Sequence, residues 1–291
     1  MQAVLIIAHR EVDNVLKLAI KLKKYFAVYI HFDKKCVLTE EQKKILGNNE
    51  ITWISEVSVN WGSWSIGDVA VRLFKLALTD TNNSYFHLIS GQDWPNDNLE
   101  KLHDFYEQTD KIYMSYELAK ETRITGEKII WWQQFYYNYD QIKRRTNFGK
   151  LYHRLLLGIQ LLLRVNKFKR LGIDLDIYHG ANWVDIPRDA LEYSINYIDT
   201  HPNFVRMLET GCFSDEFWLQ TILCNSDEYK NRIVRDNKRY VKWERQNDSW
   251  PAVLDERDFD NLIKSDTYFA RKFSEKYSNT LLDKLDRYYR N

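Results

Sequence analysis

A chain of 291 residues with 44% hydrophobic content is long enough to bury one large core or two small ones. Its 42 Lys and Arg nearly balance 41 Asp and Glu, and a formal charge of +1 gives no ground for a nucleic-acid partner. Cys36, Cys212 and Cys224 lie far apart and in no metal spacing, which argues against a disulfide framework and fits free thiols in a reducing compartment.

The opening apolar run, residues 3–8 (AVLIIA), gives way at once to His9-Arg10. It is too short for a signal peptide and reads as a first β-strand. Helical periodicity follows at Val15, Leu18, Ala19 and Leu22, then a second strand at 27–32 (AVYIHF) and a third at 51–54. Residues 65–78 read as a helix with Val69, Leu73, Leu76 and Ala77 inward. Residues 85–89 (YFHLI) form a strand that ends in Ser90-Gly91-Gln92-Asp93-Trp94-Pro95, and 112–116 form another. This β-α-β-α order predicts an α/β fold with a doubly wound, mostly parallel sheet and flanking helices. One domain is expected over 1–291, with a nucleotide-binding half at 1–116 and a helical, irregular acceptor and catalytic half at 117–291. Such sheets bind ligands beyond the carboxyl ends of their strands. Those ends carry Ala8-His9-Arg10, His31-Phe32-Asp33 and Gly91-Gln92-Asp93, with no dinucleotide or phosphate-loop glycine pattern.

Residues 141–173 contain no Asp or Glu, yet hold Lys143, Arg144, Arg145, Lys150, Arg154, Arg164, Lys167, Lys169 and Arg170 around the apolar run LLLGIQLLL at 155–163. The run is shorter than the ~18 residues of a membrane span. Two readings stay open: a helix lying on an anionic bilayer surface, or a core helix whose ends are solvated by charge.

Several residue types could carry chemistry. Asp215-Glu216 follows a Gly211-Cys212-Phe213 turn and precedes an apolar stretch (Phe217, Trp218, Leu219, Ile222, Leu223). Ser214 or Asp215 can cap a helix there, which leaves Glu216 free to act as a general base. Arg271-Lys272, framed by Phe269 and Phe273, is either a solvated pair at a helix start or a diphosphate clamp. Asp33 closes the second strand and can accept from a base or ribose; Asp93 lies in a tight-turn signature. The pairs Asp174/Asp176 and Asp258/Asp260 have the Asp-x-Asp spacing of metal sites but follow no early strand end, and are read as structural. The 10 Trp and 19 Tyr suit either core packing or stacking on sugar faces.

Taken in order, AVLIIAHR (3–10), YIHFDKK (29–35), VNWGSWS (59–65), YFHLISGQDWP (85–95), YHGANW (178–183), SDEFWLQTIL (214–223), YVKW (240–243) and FARKF (269–273) resemble the core-2/I-branching β-1,6-N-acetylglucosaminyltransferase family, which also includes the protein xylosyltransferases. The resemblance runs along most of the chain. It implies a GT-A-like fold and an inverting, metal-independent transfer from a UDP-sugar, usually UDP-N-acetylglucosamine, to a sugar hydroxyl of a glycan or glycolipid. It places the catalytic base at Glu216 and a diphosphate ligand at Lys272, with Arg271 expected to share that role. It puts Asp33 near the uridine, Trp243 at the sugar and Glu117 at the acceptor; Trp64, Asp93, Trp183, Asp215 and Arg245 are expected as further substrate contacts. No metal or other cofactor is implied beyond the donor.

The chain is expected to lack the long amino-terminal anchor and paired cysteines of the animal members, and resembles a compact bacterial version. The upstream diphosphate Arg of the animal enzymes has no counterpart in Asp248-Ser249-Trp250, and Arg245 stands where they have an acceptor-contacting Tyr. The expected location is the cytoplasm, with peripheral contact to an anionic membrane through 141–173. A non-catalytic carbohydrate-binding protein is the alternative; it would need neither Glu216 nor Lys272. A glycoside hydrolase would need two carboxylates flanking one bond, and Asp215-Glu216 are adjacent.

Overall fold

The structure is a computed structural model and describes residues 1–289. Its strands are β1 (Gln2–Ala8), β2 (Phe26–Phe32), β3 (Thr52–Ile54), β4 (Tyr85–Ser90), β5 (Asp93–Pro95), β6 (Ile112–Met114), β7 (Glu117–Leu118), β8 (Arg123–Ile124), β9 (Glu127–Lys128), β10 (Tyr178–His179), β11 (Val184–Pro187), β12 (Ile233–Val234), β13 (Arg239–Val241) and β14 (Phe269–Arg271). Its helices are α1 (Val12–Leu22), α2 (Glu40–Asn48), α3 (Ser65–Leu78), α4 (Leu99–Glu107), α5 (Trp131–Gln134), α6 (Asn147–Leu162), α7 (Lys167–Leu171), α8 (Arg188–Thr200), α9 (Pro202–Glu209), α10 (Trp218–Cys224), α11 (Phe259–Lys264) and α12 (Asn279–Tyr288).

Seven strands form the main sheet in the order β12-β6-β11-β4-β1-β2-β3. All run parallel except β11, which is antiparallel to both β4 and β6. The mostly parallel, doubly wound α/β arrangement expected from the sequence is therefore present, and β11 and β12 bring the second half of the chain into the same sheet.

The reason lies in β1, whose seven residues are all buried. Alternation along the strand sends Ala3, Leu5 and Ile7 into one core, shared with α3, α8 and α10. Val4, Ile6 and Ala8 point into the opposite core, with α1, α4 and α12. A strand covered on both faces needs a continuous apolar run, and that is what made it legible.

The chain turns from β1 to β2 and β3 on one side and reaches β4 on the other. The switch point therefore falls between β1 and β4, where a crevice opens beyond the carboxyl ends. Gly91 lines that junction: its N–H donates to the Ile7 carbonyl at 2.9 Å, and a Cβ there would lie 2.7 Å from Val15.

Three elements differ from the sequence expectation. The strand predicted over 112–116 stops at Met114, because Ser115 leaves the ladder to receive the Ala181 N–H on its hydroxyl at 2.8 Å. Arg271 ends a strand rather than sitting at a helix start: β14 pairs with β5 and β13 in a small second sheet. Residues Ser214–Glu216 form a 3₁₀ turn, and α10 begins only at Trp218.

Candidate active site

At the mouth of the switch point, β14 brings two cations to the ends of β1 and β4. The register opposes Arg271 to Asp93, and the Arg271 Nε lies 3.2 Å from the Asp93 carboxylate. That carboxylate is already occupied. It accepts from the Ser90 N–H at 2.7 Å and the Ser90 hydroxyl at 2.9 Å, which closes the tight turn read from the sequence. Asp93 thus positions Arg271. On its other side the guanidinium lies 4.2 Å from the centre of the Trp183 ring, so the planar cation is held between a carboxylate and an aromatic face.

Lys272 is half-buried, and its pKa is lowered to about 8, first by burial and then by the charges of Arg271, Arg10 and Arg145. The carboxylate that acts on both Lys272 and Arg271 is Asp93, already committed to Ser90, while Glu216 acts on Arg271 as well, so the cations outnumber the carboxylates. Such an unbalanced cluster in a crevice is an anion site in electrostatic terms. His9 borders it; burial lowers its pKa, as do Arg10, Lys272 and Arg271, while Asp33 raises it. Asp33 closes β2, buried, with one oxygen accepting from the Lys35 N–H at 2.9 Å.

Arg10 and Arg145 were not singled out from the sequence. Arg145 reaches the cluster from far along the chain, and its guanidinium stacks 4.1 Å from the centre of the Trp61 ring. Trp61 in turn meets Phe213 edge-on at 4.7 Å, and the Phe213 N–H donates to the Gly62 carbonyl at 2.9 Å. Phe213 has a left-handed backbone (φ 52°) and delivers the chain into Ser214-Asp215-Glu216.

Within that turn the capping expectation fails. The Ser214 hydroxyl points backwards and donates to the Leu208 carbonyl at 2.6 Å, and neither the turn nor α10 has a side-chain cap. Asp215 is buried with one carboxylate oxygen lacking any partner, and burial pushes its pKa up. Glu216 is half-buried; burial pushes its pKa up, the Asp215 charge adds to this, and Arg271 opposes it. A carboxylate raised above its ordinary range and close enough to feel the cationic cluster has the attributes of a general base.

The backbone of Glu216 is fixed by its own carbonyl, which accepts the Gly180 N–H at 2.8 Å. Gly180 is there of necessity: a Cβ would stand 1.9 Å from the Ser115 carbonyl oxygen. Beside it Asn182 is buried, and neither end of its side-chain amide has a hydrogen-bond partner in the protein. The side-chain amide nitrogen of Gln92, whose backbone carbonyl accepts the Phe273 N–H at 2.8 Å, is orphaned in the same way. Buried polar groups are seldom left unpaired, and orphans gathered at one crevice are what a polar ligand would satisfy.

The remaining expected contacts are less uniform. Glu117 is exposed on the rim, 3.0 Å from Arg235 and opposite His179 in the β7–β10 pair. Trp243 is 65% exposed and leans on Trp250 at 6.4 Å; Arg245 is exposed on the same loop. That loop backs the site, because the Lys272 N–H donates to the Ala252 carbonyl at 3.3 Å. Trp64 is 7% exposed, packs edge-on against Trp218, and covers Gly67, where a Cβ would lie 2.1 Å from its ring. The structure therefore places Trp64 in the core and leaves Trp61, its neighbour in the same motif, facing the site.

Asp258 is buried in hydrogen bonds from Lys242 at 2.8 Å and Gln246 at 2.7 Å, and Asp176 pairs with Lys120 at 2.9 Å. Among the described residues no three His, Cys, Asp or Glu side chains converge in a way that could hold a metal ion.

The family model described as Core-2/I-Branching enzyme matches residues 3–263. The β-glucuronosyltransferase GlcAT14A of Arabidopsis thaliana is 29% identical over 111 residues, which are 38% of this chain and 24% of that protein. GlcAT14C of the same plant is 30% identical over 119 residues, 40% of this chain and 30% of that protein. The match thus spans less than a third of these relatives' length. Among solved structures, the WbbM bifunctional glycosyltransferase in its apo form aligns over 94% of this chain and 46% of its own, at 8% identity and a TM-score of 0.38. The A197 protein from STIV aligns over 66% and 68% at 11% identity with a TM-score of 0.24.

Proposed function

Since this chain belongs to the core-2/I-branching enzyme family of glycosyltransferases, we propose that it transfers a sugar from a UDP-sugar, N-acetylglucosamine first, to a hydroxyl of a glycan or glycolipid, with inversion. The observation that carries this reading is the raised carboxylate of Glu216 within reach of the charge of Arg271, itself part of a four-cation cluster at the switch point. An acceptor hydroxyl is a poor nucleophile at neutral pH unless a base takes its proton as the new bond forms. Glu216 is that base. Oxygen attacks the anomeric carbon as the bond to UDP breaks on the opposite face, and a single displacement inverts the centre. The leaving diphosphate gathers negative charge, which Lys272 and Arg271 meet, with Arg10 and Arg145 beside them. In this reading the fixed cations supply the charge stabilisation that a divalent metal supplies elsewhere.

The rest of the reading concerns specificity and place. Asp33, Asp93, Trp183 and Asp215 belong to the donor side, and Glu117, Trp243 and Arg245 to the acceptor side. Trp64 supports the site from the core. The nucleotide half is 1–116 and the acceptor half 117–291 of one domain. The reaction takes place in the cytoplasm, against the inner membrane face. The plant relatives are named β-glucuronosyltransferases, which makes glucuronic acid the second donor to test. The decisive experiment screens UDP-sugars for hydrolysis and transfer, with EDTA present and absent. Turnover of UDP-N-acetylglucosamine that survives chelation is the expected result. Turnover only of UDP-glucuronic acid would replace the donor; loss on chelation with rescue by Mn²⁺ would remove the metal-free mechanism. Binding without any turnover would favour the non-catalytic carbohydrate-binding alternative.

A further inference from the structure

Helix α6 carries apolar side chains on both faces. Its inner face packs Tyr152, Leu156 and Leu157 against the cluster of Phe135, Tyr137, Tyr139, Val165 and Cys212, and buries two polar residues beside them. There His153 bonds to Glu127 at 3.0 Å and to the Tyr139 hydroxyl, and Gln160 is engaged by the Tyr136 backbone. Its outer face is apolar. Phe148, Leu151, Leu155, Ile159 and Leu162 recur at helical spacing and are 53–83% exposed, with Leu163 at 68% beyond them. A globular helix normally leaves its outer face polar, and soluble monomers seldom display so continuous an apolar stripe.

The charge around the stripe indicates what covers it. From 141 to 173 there is no acidic residue, while Lys143, Lys150, Arg154, Arg164, Lys169 and Arg170 are exposed. Lys167 is not part of this basic surface; it is buried and donates to the Met207 carbonyl at 2.8 Å. A protein partner with an apolar groove would explain the leucines alone. A surface at once apolar and anionic explains the leucines and the unrelieved positive charge together. No helix among the described residues is long and apolar enough to cross a membrane. At 1.5 Å per residue α6 is roughly 24 Å long, which suits a helix lying in the plane of the interface.

We propose that the outer face of α6 is a bilayer-docking surface, which seats Phe148, Leu151, Leu155, Ile159 and Leu162 among the acyl chains of an anionic membrane while the flanking lysines and arginines meet its headgroups. The inference refines the membrane contact in the functional reading but stands on the helix surface alone, independent of Glu216 and the donor. Its one link to the site is positional: Arg145 lies three residues before Phe148, so docking brings the cationic cluster close to the bilayer.

The test is flotation of the full chain with vesicles of phosphatidylcholine alone and with about a third phosphatidylglycerol. The expected result is binding to the anionic vesicles, weaker by about fivefold for each of Lys150→Gln and Arg154→Gln. The pair Leu155→Ser and Leu162→Ser should lower it by at least about tenfold. Circular dichroism, melting temperature and UDP-sugar hydrolysis of that double variant should match the parent, because both leucines are solvent-facing. No binding to either vesicle would overturn the proposal. So would a dimer that the leucine substitutions convert to monomer, which would make the stripe a contact between copies. Flotation does not depend on turnover, so a failed UDP-sugar screen leaves this result intact, and a failed flotation leaves the screen intact.

Discussion

At the scale of single residues, the adjacent carboxylates Asp215 and Glu216 are expected to behave differently. Glu216→Gln keeps the volume and removes the basicity, and should lower kcat by roughly 10²–10⁴-fold with UDP affinity nearly unchanged. Asp215 has no cap to lose, so Asp215→Asn acts through its neighbour. It removes the second cause of the upward shift on Glu216. The acid limb of kcat/KM should therefore move to lower pH, with kcat held within about tenfold. The direction follows from the chemistry: the base works deprotonated, so activity climbs as pH rises through the Glu216 pKa, which lies above the ordinary ~4.3. The alkaline limb falls as Lys272 loses its proton in the free enzyme, above about 8. Near-full transfer by Glu216→Gln, with an inactive but folded Asp215→Asn, would show that the roles are exchanged.

At the scale of elements, three segments remote in sequence converge on the cationic cluster. The loop carrying Trp61 supports Arg145 from ahead of α6 and touches Phe213, which leads into the Ser214-Asp215-Glu216 turn. Arg145→Met should weaken UDP binding roughly ten- to a hundredfold, the scale of one charge-assisted hydrogen bond, with little change in melting temperature. Trp61→Ala should weaken it less, about threefold, because the cation loses only its stacking partner. Calorimetric titration with UDP checks both, and unchanged affinity in Arg145→Met would remove that residue from the donor site. The second junction is Gly180. With a Cβ 1.9 Å from the Ser115 carbonyl, Gly180→Ala must displace the loop whose N–H holds the Glu216 backbone. A loss of about 1–3 kcal/mol in stability is expected together with a fall in kcat. A variant as stable and active as the parent would show that the loop yields freely.

At the scale of the molecule, one buried network ties the two sheets together. Asp185 on β11 is fully buried and receives the Arg239 guanidinium from β13 through both nitrogens, His87 from β4 at 2.9 Å and the Tyr106 hydroxyl. Burial alone would raise this carboxyl, but Arg239 and His87 outweigh it and hold it well below the usual range. Because β13 pairs with β14, this contact also sets where Arg271 and Lys272 stand relative to the strand ends. Arg239→Met strands a buried carboxylate and should cost about 3–5 kcal/mol, with donor binding lost before the fold is. The native pKa of Asp185 lies below its unfolded value, so its contribution is fully present above about pH 5. It declines as pH falls through the unfolded pKa near ~3.9 towards the lower native one. Urea titrations at neutral and acid pH measure this; a pH-independent difference between Arg239→Met and the parent would refute it.

The amino-acid sequence alone determined the parts that local patterning controls. A strand buried on both faces needs a continuous apolar run, so β1, β2 and β4 were legible, and with them the parallel sheet and the strand ends that border the crevice. The strings around Glu216 and Lys272 carry the family resemblance because both are short and contiguous. Tertiary structure decided everything that depends on which side of an element faces what. Helical spacing shows that α6 has an apolar stripe, but not that Phe148, Leu151, Leu155, Ile159 and Leu162 face outward while His153 and Gln160 turn inward beside Leu156 and Leu157. The motif at 59–65 holds two tryptophans; the fold buries Trp64 against Trp218 and leaves Trp61 to support Arg145. Arg10 and Arg145 join Lys272 across 262 and 127 residues of chain. No local pattern encodes such a meeting, because its energy is that of charges brought together in one crevice by strands that pair for other reasons.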